Sequence, residues 1–115
     1  MLVKRFAEAK PYEAPNHFAM RGLRLQGFEA GGPENFWVGC SHFLPGGGAG
    51  PDSSPIEKVY VVLNGWLSVR AGEEKTELGP MDSCTIGPNV ERAILNETND
   101  VVTMLVIMPY PPAAA

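Results

Sequence analysis

The chain has no basic run, no long apolar run and very little cysteine, and each shortage removes a class of function. Nine Lys and Arg stand against thirteen Asp and Glu, for a formal net charge of -4 and a pI near 5.1. Nucleic acid, which needs a clustered cationic surface, is not an expected partner. The acidic residues are scattered, as on an ordinary solvated surface. No stretch approaches the roughly 18 apolar residues of a membrane helix. After Met1-Leu2-Val3-Lys4-Arg5 the chain turns polar without an apolar core of signal-peptide length, so neither a membrane partner nor a secretion leader is expected. The two cysteines, Cys40 and Cys84, sit in apolar runs without partners at metal-ligand spacing. Read as free buried thiols, they suit a reducing cytoplasm. No segment keeps helical periodicity over three capped turns, and no internal repeat is present.

What the chain does have is turn chemistry. Its 13 Gly and 11 Pro cluster between short apolar runs, which marks a turn-rich all-β protein rather than disorder. At 115 residues it makes one domain: an N-terminal arm or first edge strand over 1–16, a β-barrel over 17–108 and a Pro/Ala-rich tail over 109–115. Strands are expected at 17–26, 35–44, 57–63, 66–70, 75–78, 83–86, 90–95 and 101–108. In the second, Phe36, Val38, Cys40, His42 and Leu44 form an apolar face, and Trp37, Gly39, Ser41 and Phe43 take the other. The run from Pro45 to Pro51 argues against regular structure. Asn64-Gly65 is expected to close a type I′ hairpin. Strand 101–108 is apolar on both faces, which calls for an outer cover, and a second subunit would supply it.

Two blocks carry a resemblance. Pro45-Gly46, a loop, and Gly65 frame one; Gly79-Pro80-Met81-Asp82, Gly87-Pro88-Asn89 and Asn96 frame the other. Together they resemble the cupin superfamily over about residues 36–108, which implies an all-β, cupin-like jelly-roll β-barrel of about eight or more short strands. Many cupins are homodimers, so the resemblance adds to the expectation of a homodimer. In that superfamily the first block carries His-x-His-x-x-x-Glu and the second a further His. Counting from Gly65 and Gly87, those positions fall here on Asp52, Ser54, Lys58 and Arg92. Lys58 and Arg92 are cations without a lone pair to offer, and they repel a divalent ion. No family-type metal and no other cofactor is therefore expected. A set of His42, Asp52 and Glu57 is the alternative ion site, although Glu57 is one residue out of register with Lys58.

By strand parity Lys58, Tyr60 and Val62 share a face, and the resemblance makes that face the barrel interior, with Arg92 also inward. Two cations in one low-dielectric cup attract a carboxylate, enolate or phosphate. The site reading is therefore Asp52, Ser54, Lys58 and Arg92 for ligand binding, with His42, Lys58 and Tyr60 as catalytic candidates. A desolvated Lys58 could act as base or Schiff-base nucleophile; His42 or Tyr60 could move a proton. The expected ligand is a small organic acid or sugar-like molecule. The expected function is anion binding without metal, as an isomerase, lyase or decarboxylase. The alternatives are a non-catalytic binding or sensing module and a divergent metal-dependent, oxygenase-like cupin. The plainer reading of the same residues is an internal ion pair of Asp52 with Lys58 or Arg92, a hydrogen-bonded core role for His42, and a structural or exposed His17.

Overall fold

A computed structural model describes residues 1–112. Nine strands form one sheet that wraps into a nearly closed barrel. They are β1 Lys10–Tyr12, β2 His17–Gln26, β3 Phe36–Asp52, β4 Lys58–Asn64, β5 Leu67–Ala71, β6 Glu74–Leu78, β7 Ser83–Ile86, β8 Arg92–Leu95 and β9 Val102–Pro109. Among the described residues, helical structure is limited to 3-10 turns at Phe6–Glu8 and Phe28–Ala30. No helix among the described residues is long and apolar enough to cross a membrane. Of the expected tail, Pro109 ends β9, and residues 113–115 lie outside the described residues.

The long strand β3 organises the barrel. Its first half, Phe36 to Phe43, pairs with β9, whose other edge pairs with β4, and β4 in turn with β7. Its second half, Gly48 to Asp52, pairs with β8, which leads through β5 to β6. Strand β2 runs along the remaining edge of β3 and carries β1. One strand thus belongs to both walls.

Two turn readings change accordingly. The Gly-rich run from Pro45 to Pro51 is strand, not loop. Its glycines are there for close approach: a Cβ on Gly47 would collide with the Ala19 carbonyl, and one on Gly48 with the Ile94 carbonyl. Neighbouring backbones therefore come in from both sides. We expect Gly48→Ala to destabilise the fold by about 1–3 kcal/mol through overpacking; an unchanged urea midpoint would show that β3 and β8 do not approach this closely. The Asn64-Gly65 hairpin does not form either. Only Gly65 has a positive φ, 85°, and β4 and β5 do not pair. Both edges of β4 are already taken by β9 and β7, so the turn carries the chain from one wall to the other.

The core lies where Phe43, Leu67, Val62 and Val102 are fully buried, with Met104 and Ala49 beside them. On β3 the inward face is Trp37, Gly39, Ser41 and Phe43, the face with the small residues. The more continuously apolar face of Phe36, Val38, Cys40, His42 and Leu44 points out, beside Leu105 and Ile107 of β9 and, on β4, Val59 and Val61. The N-terminal arm reaches this outer surface, where the Phe6 ring meets His42 edge-on at 5.8 Å. Parity alone gave the two faces of β3; the volume each had to fill selected the inner one.

Candidate functional site

A cavity of about 230 Å³ opens at one end of the barrel. Its lining comes from separate parts of the chain: Tyr12 and His17 from the N-terminal hairpin, Trp37, Ser41 and Asp52 from β3, Ser54 from the following loop, Lys58 and Tyr60 from β4, Arg92 from β8, and Met104, Val106 and Met108 from β9. The volume lies below the range of drug-sized pockets.

Lys58 and Arg92 are the notable residents. They are only 8% and 7% exposed, held on strands whose alternation turns them inward beside Tyr60 and Ile94. Among the described residues, ion pairs join Arg24 to Glu29, Arg70 to Glu91 and Lys75 to Glu97; Lys58 and Arg92 have no carboxylate within pairing distance. The Lys58 ammonium donates one long bond, 3.4 Å, to Ser54 Oγ. Arg92 Nη1 donates to the Gly50 carbonyl at 3.3 Å, and Arg92 Nε is buried without a partner. Burial pushes the Lys58 ammonium below its ordinary pKa and Arg92 pushes it further, with Asp52 partly opposing. An internal salt bridge with Asp52 is therefore not what fills the site. Asp52 is exposed at the rim, cross-strand from Arg92, and its Oδ1 accepts a bond from its neighbour Ser53 N at 2.8 Å.

Tyr60 is 3% exposed. Burial pushes its phenol up to about 12, against a smaller lowering by Arg92. At neutral pH it is a hydrogen-bond donor and a poor base. Ser54 is tied into its own turn, accepting from Ile56 N and donating to Ile56 O, which holds its oxygen near Lys58. The aromatic wall is braced from behind. The Arg24 guanidinium lies 4.1 Å from the Tyr12 ring centroid, 3.9 Å from that of Phe28 and 4.7 Å from that of Trp37, a cation–π stack that fixes Tyr12 and Trp37.

Of the residues singled out from the sequence, Asp52, Ser54, Lys58, Tyr60 and Arg92 come together around this cavity. His42 does not. It lies on the outer face, with Nε2 3.9 Å from Cys40 Sγ and against Phe6, so the barrel wall separates it from the cavity. Glu57 is exposed before β4, so His42, Asp52 and Glu57 do not assemble as ion ligands. The donor set at the family's metal position does not fit a divalent cation either: a guanidinium and an ammonium side chain face the space, and the orphaned Arg92 Nε calls for an acceptor. Sequence reasoning missed His17, Tyr12, Trp37 and Ser41. For His17 the only local signal was a Pro-Asn turn at a strand start, which says nothing about the barrel end it reaches. The imidazole sits at the cavity with its Nδ1 2.7 Å from the Pro15 carbonyl.

No family model matches the chain. It is 42% identical over 113 residues to the β-D-galactosidase Rv1717 of Mycobacterium tuberculosis, covering 98% of this chain and 97% of that protein. Among solved structures it is similar to the polyketide cyclase RemF of Streptomyces resistomycificus, with a TM-score of 0.83, 18% identity, and 95% of this chain and 79% of that one covered. KdgF from Halomonas sp. gives a TM-score of 0.78 at 13% identity, with 96% of each chain covered. An RmlC-like cupin from Shewanella frigidimarina gives 0.77 at 14% identity, over 93% and 88%. At these identities the structures speak to the fold.

Proposed function

We propose that the barrel cavity of this chain, which has a cupin-like fold and belongs to the same family as Rv1717, is an enzyme site for a small carbohydrate-type substrate carrying a carboxylate or similar anionic group, worked on without a family-type metal. The observation that carries this reading is the pair of buried cations without a paired carboxylate. Taking a charge out of water costs several kcal/mol even after relaxation, and a cavity whose two cations face one unpaired rim carboxylate keeps a net positive charge that an arriving anion offsets. Arg92 offers a planar fork for two parallel bonds, and its free Nε is one tine of it. Lys58 adds a point charge on the same side. Tyr60, protonated, donates to a substrate oxygen, and Asp52 at the rim accepts from hydroxyls. The relative named as a β-D-galactosidase supports a hydroxylated ring as the body of the ligand. Abstraction of a proton next to the bound carboxylate, as in an isomerase or lyase, places the new negative charge where Lys58 and Arg92 stabilise it.

A second reading, hydrolysis of a neutral β-D-galactoside, is favoured by that same relative. Its difficulty is electrostatic. Glycosidases generally flank the scissile bond with two carboxylates and pass through a cationic, oxocarbenium-like state. This cavity has one carboxylate, Asp52, and two cations that disfavour a developing positive charge. Calorimetric titration with D-galacturonate and D-galactose at low salt separates the two. The anion reading expects D-galacturonate to bind at least about tenfold tighter, 1.4 kcal/mol. Equal or inverted affinity rejects it. Release of nitrophenol from p-nitrophenyl β-D-galactopyranoside, abolished by Asp52→Asn, would establish the second.

A further inference from the structure

We propose that His17 is the proton carrier of this cavity, working through Nε2 while the Pro15 carbonyl holds Nδ1. This rests on the substrate-site reading above and supplies the base that reading lacks, since Tyr60 stays protonated and His42 lies outside the barrel.

The geometry fixes both the place and the tautomer of the ring. A carbonyl oxygen can only accept, so the 2.7 Å contact between His17 Nδ1 and Pro15 O requires the hydrogen on Nδ1. That leaves the Nε2 lone pair free. Three ties hold the residue against β3. Asn16 takes a positive φ of 58°, a conformation Asn tolerates better than most residues. Its carbonyl accepts from Gly50 N at 2.9 Å, and its side chain donates to Pro51 O at 3.2 Å. His17 then enters β2 opposite Ala49. A sparsely populated backbone state kept in place by several bonds is the pattern expected where position matters to function.

The charged groups that act on the imidazole are Asp52 from β3, Lys58 from β4 and Arg92 from β8. Burial lowers the His17 pKa below its ordinary 6.5; the Pro15 bond opposes, Arg92 and Lys58 lower it further, and Asp52 raises it. The ring is thus neutral and basic at neutral pH. In the step it performs, the Nε2 lone pair takes a proton from the substrate carbon or hydroxyl. The electron pair of the broken bond stays on the substrate as an enolate or alkoxide facing Lys58 and Arg92. The resulting imidazolium returns its proton to another atom of the substrate. Before binding, Lys58, Arg92 and Asp52 give the site one net positive charge; a monoanionic substrate brings it to zero, and the internal proton transfer leaves it there.

Having only His17 and His42 makes the test direct. Long-range nitrogen–proton NMR spectra of the full chain, with His42→Gln to assign the two rings, should show His17 protonated on Nδ1 and bare on Nε2 at neutral pH. Its titration should fall below 6.5. Saturating D-galacturonate should raise the His17 pKa, because an anion now stands beside the imidazolium, and leave His42 unmoved. An Nε2-protonated tautomer in the free protein overturns the inference whatever the ligand does. Calorimetric binding of D-galacturonate without any change at His17 also overturns it and leaves the anion site standing. Failure of D-galacturonate to bind removes the anion reading and this inference with it.

Discussion

Replacing Lys58 by Met is expected to make the protein more stable and to weaken its affinity for anions sharply. Met has a similar unbranched length and fills the same space, while the charge that burial penalises disappears. Buried ionic groups exchanged for well-packed apolar ones often leave a protein unchanged or stabilise it by about 1–4 kcal/mol. Lys58 has no carboxylate partner to lose, only a 3.4 Å bond to Ser54, so its replacement should fall on the stabilising side. Relief of the like-charge neighbour Arg92 acts in the same direction. The ligand, by contrast, loses a charge-assisted contact in a desolvated site, worth about 2–5 kcal/mol. Affinity for D-galacturonate should drop by at least about 30-fold. Arg92→Met should behave similarly, with the added removal of an unpartnered Nε. Urea denaturation and calorimetry on the same samples give both readouts. A Lys58→Met protein that is less stable than wild type would mean the charge is compensated in solution, and the case for an anion site would lose its physical basis. Such a trade between stability and activity is the usual signature of a functional buried charge.

The second large effect is structural. Asn96→Leu should cost about 3–4 kcal/mol, a large part of the 5–15 kcal/mol that holds a typical domain together. Asn96 is fully buried and uses every polar atom it has. Its Nδ2 donates to Phe43 O at 3.0 Å and Asp100 O at 2.7 Å; its Oδ1 accepts from Thr98 N at 3.0 Å and Thr98 Oγ1 at 2.7 Å. Its backbone closes the ring, with Asn96 N donating to Gly47 O and Gly46 N to Asn96 O. Leu conserves bulk but takes the side-chain donor from Phe43 O and the acceptor from Thr98 N, at about 1–3 kcal/mol for each group left unsatisfied and buried, while Asp100 O keeps its bond from Thr98 Oγ1 at 3.2 Å. The loss should appear as a lower urea midpoint with an unchanged slope. Thr98→Val removes only the hydroxyl's bonds and should cost markedly less. Equal losses for the two would show that Asn96 is not the centre of the network.

The resemblance in the sequence had already put Asn96 among the framework positions, and much else in the scaffold was legible there. Strand β7 over Ser83–Ile86 has the bounds its β-branched and apolar run suggests, and Lys58, Tyr60 and Val62 alternate inward as strand parity requires. These are local facts: a period of two and a pair of glycine landmarks fix which residues share a face. The cation pair at the cavity follows from the same count.

Other features depended on partners distant in sequence. Nothing within Pro45–Pro51 announces that β2 and β8 will press against its glycines and draw it into a ladder. Nothing in Asn64-Gly65 shows that β4 will already be paired on both edges. His42 and His17 exchanged expectations for the same reason. His42 stands on an apolar strand face, but the barrel is filled by Trp37 and Phe43 of the other face. His17 stands at an unremarkable strand start, yet β2 lies along β3 and brings it over the cavity. Sequence determined the all-β alternation and the charge of the cavity, because those are set by residue type and spacing. Tertiary structure decided which side was inside and which histidine met the cations, because those depend on how long-range strand pairing divides the available volume.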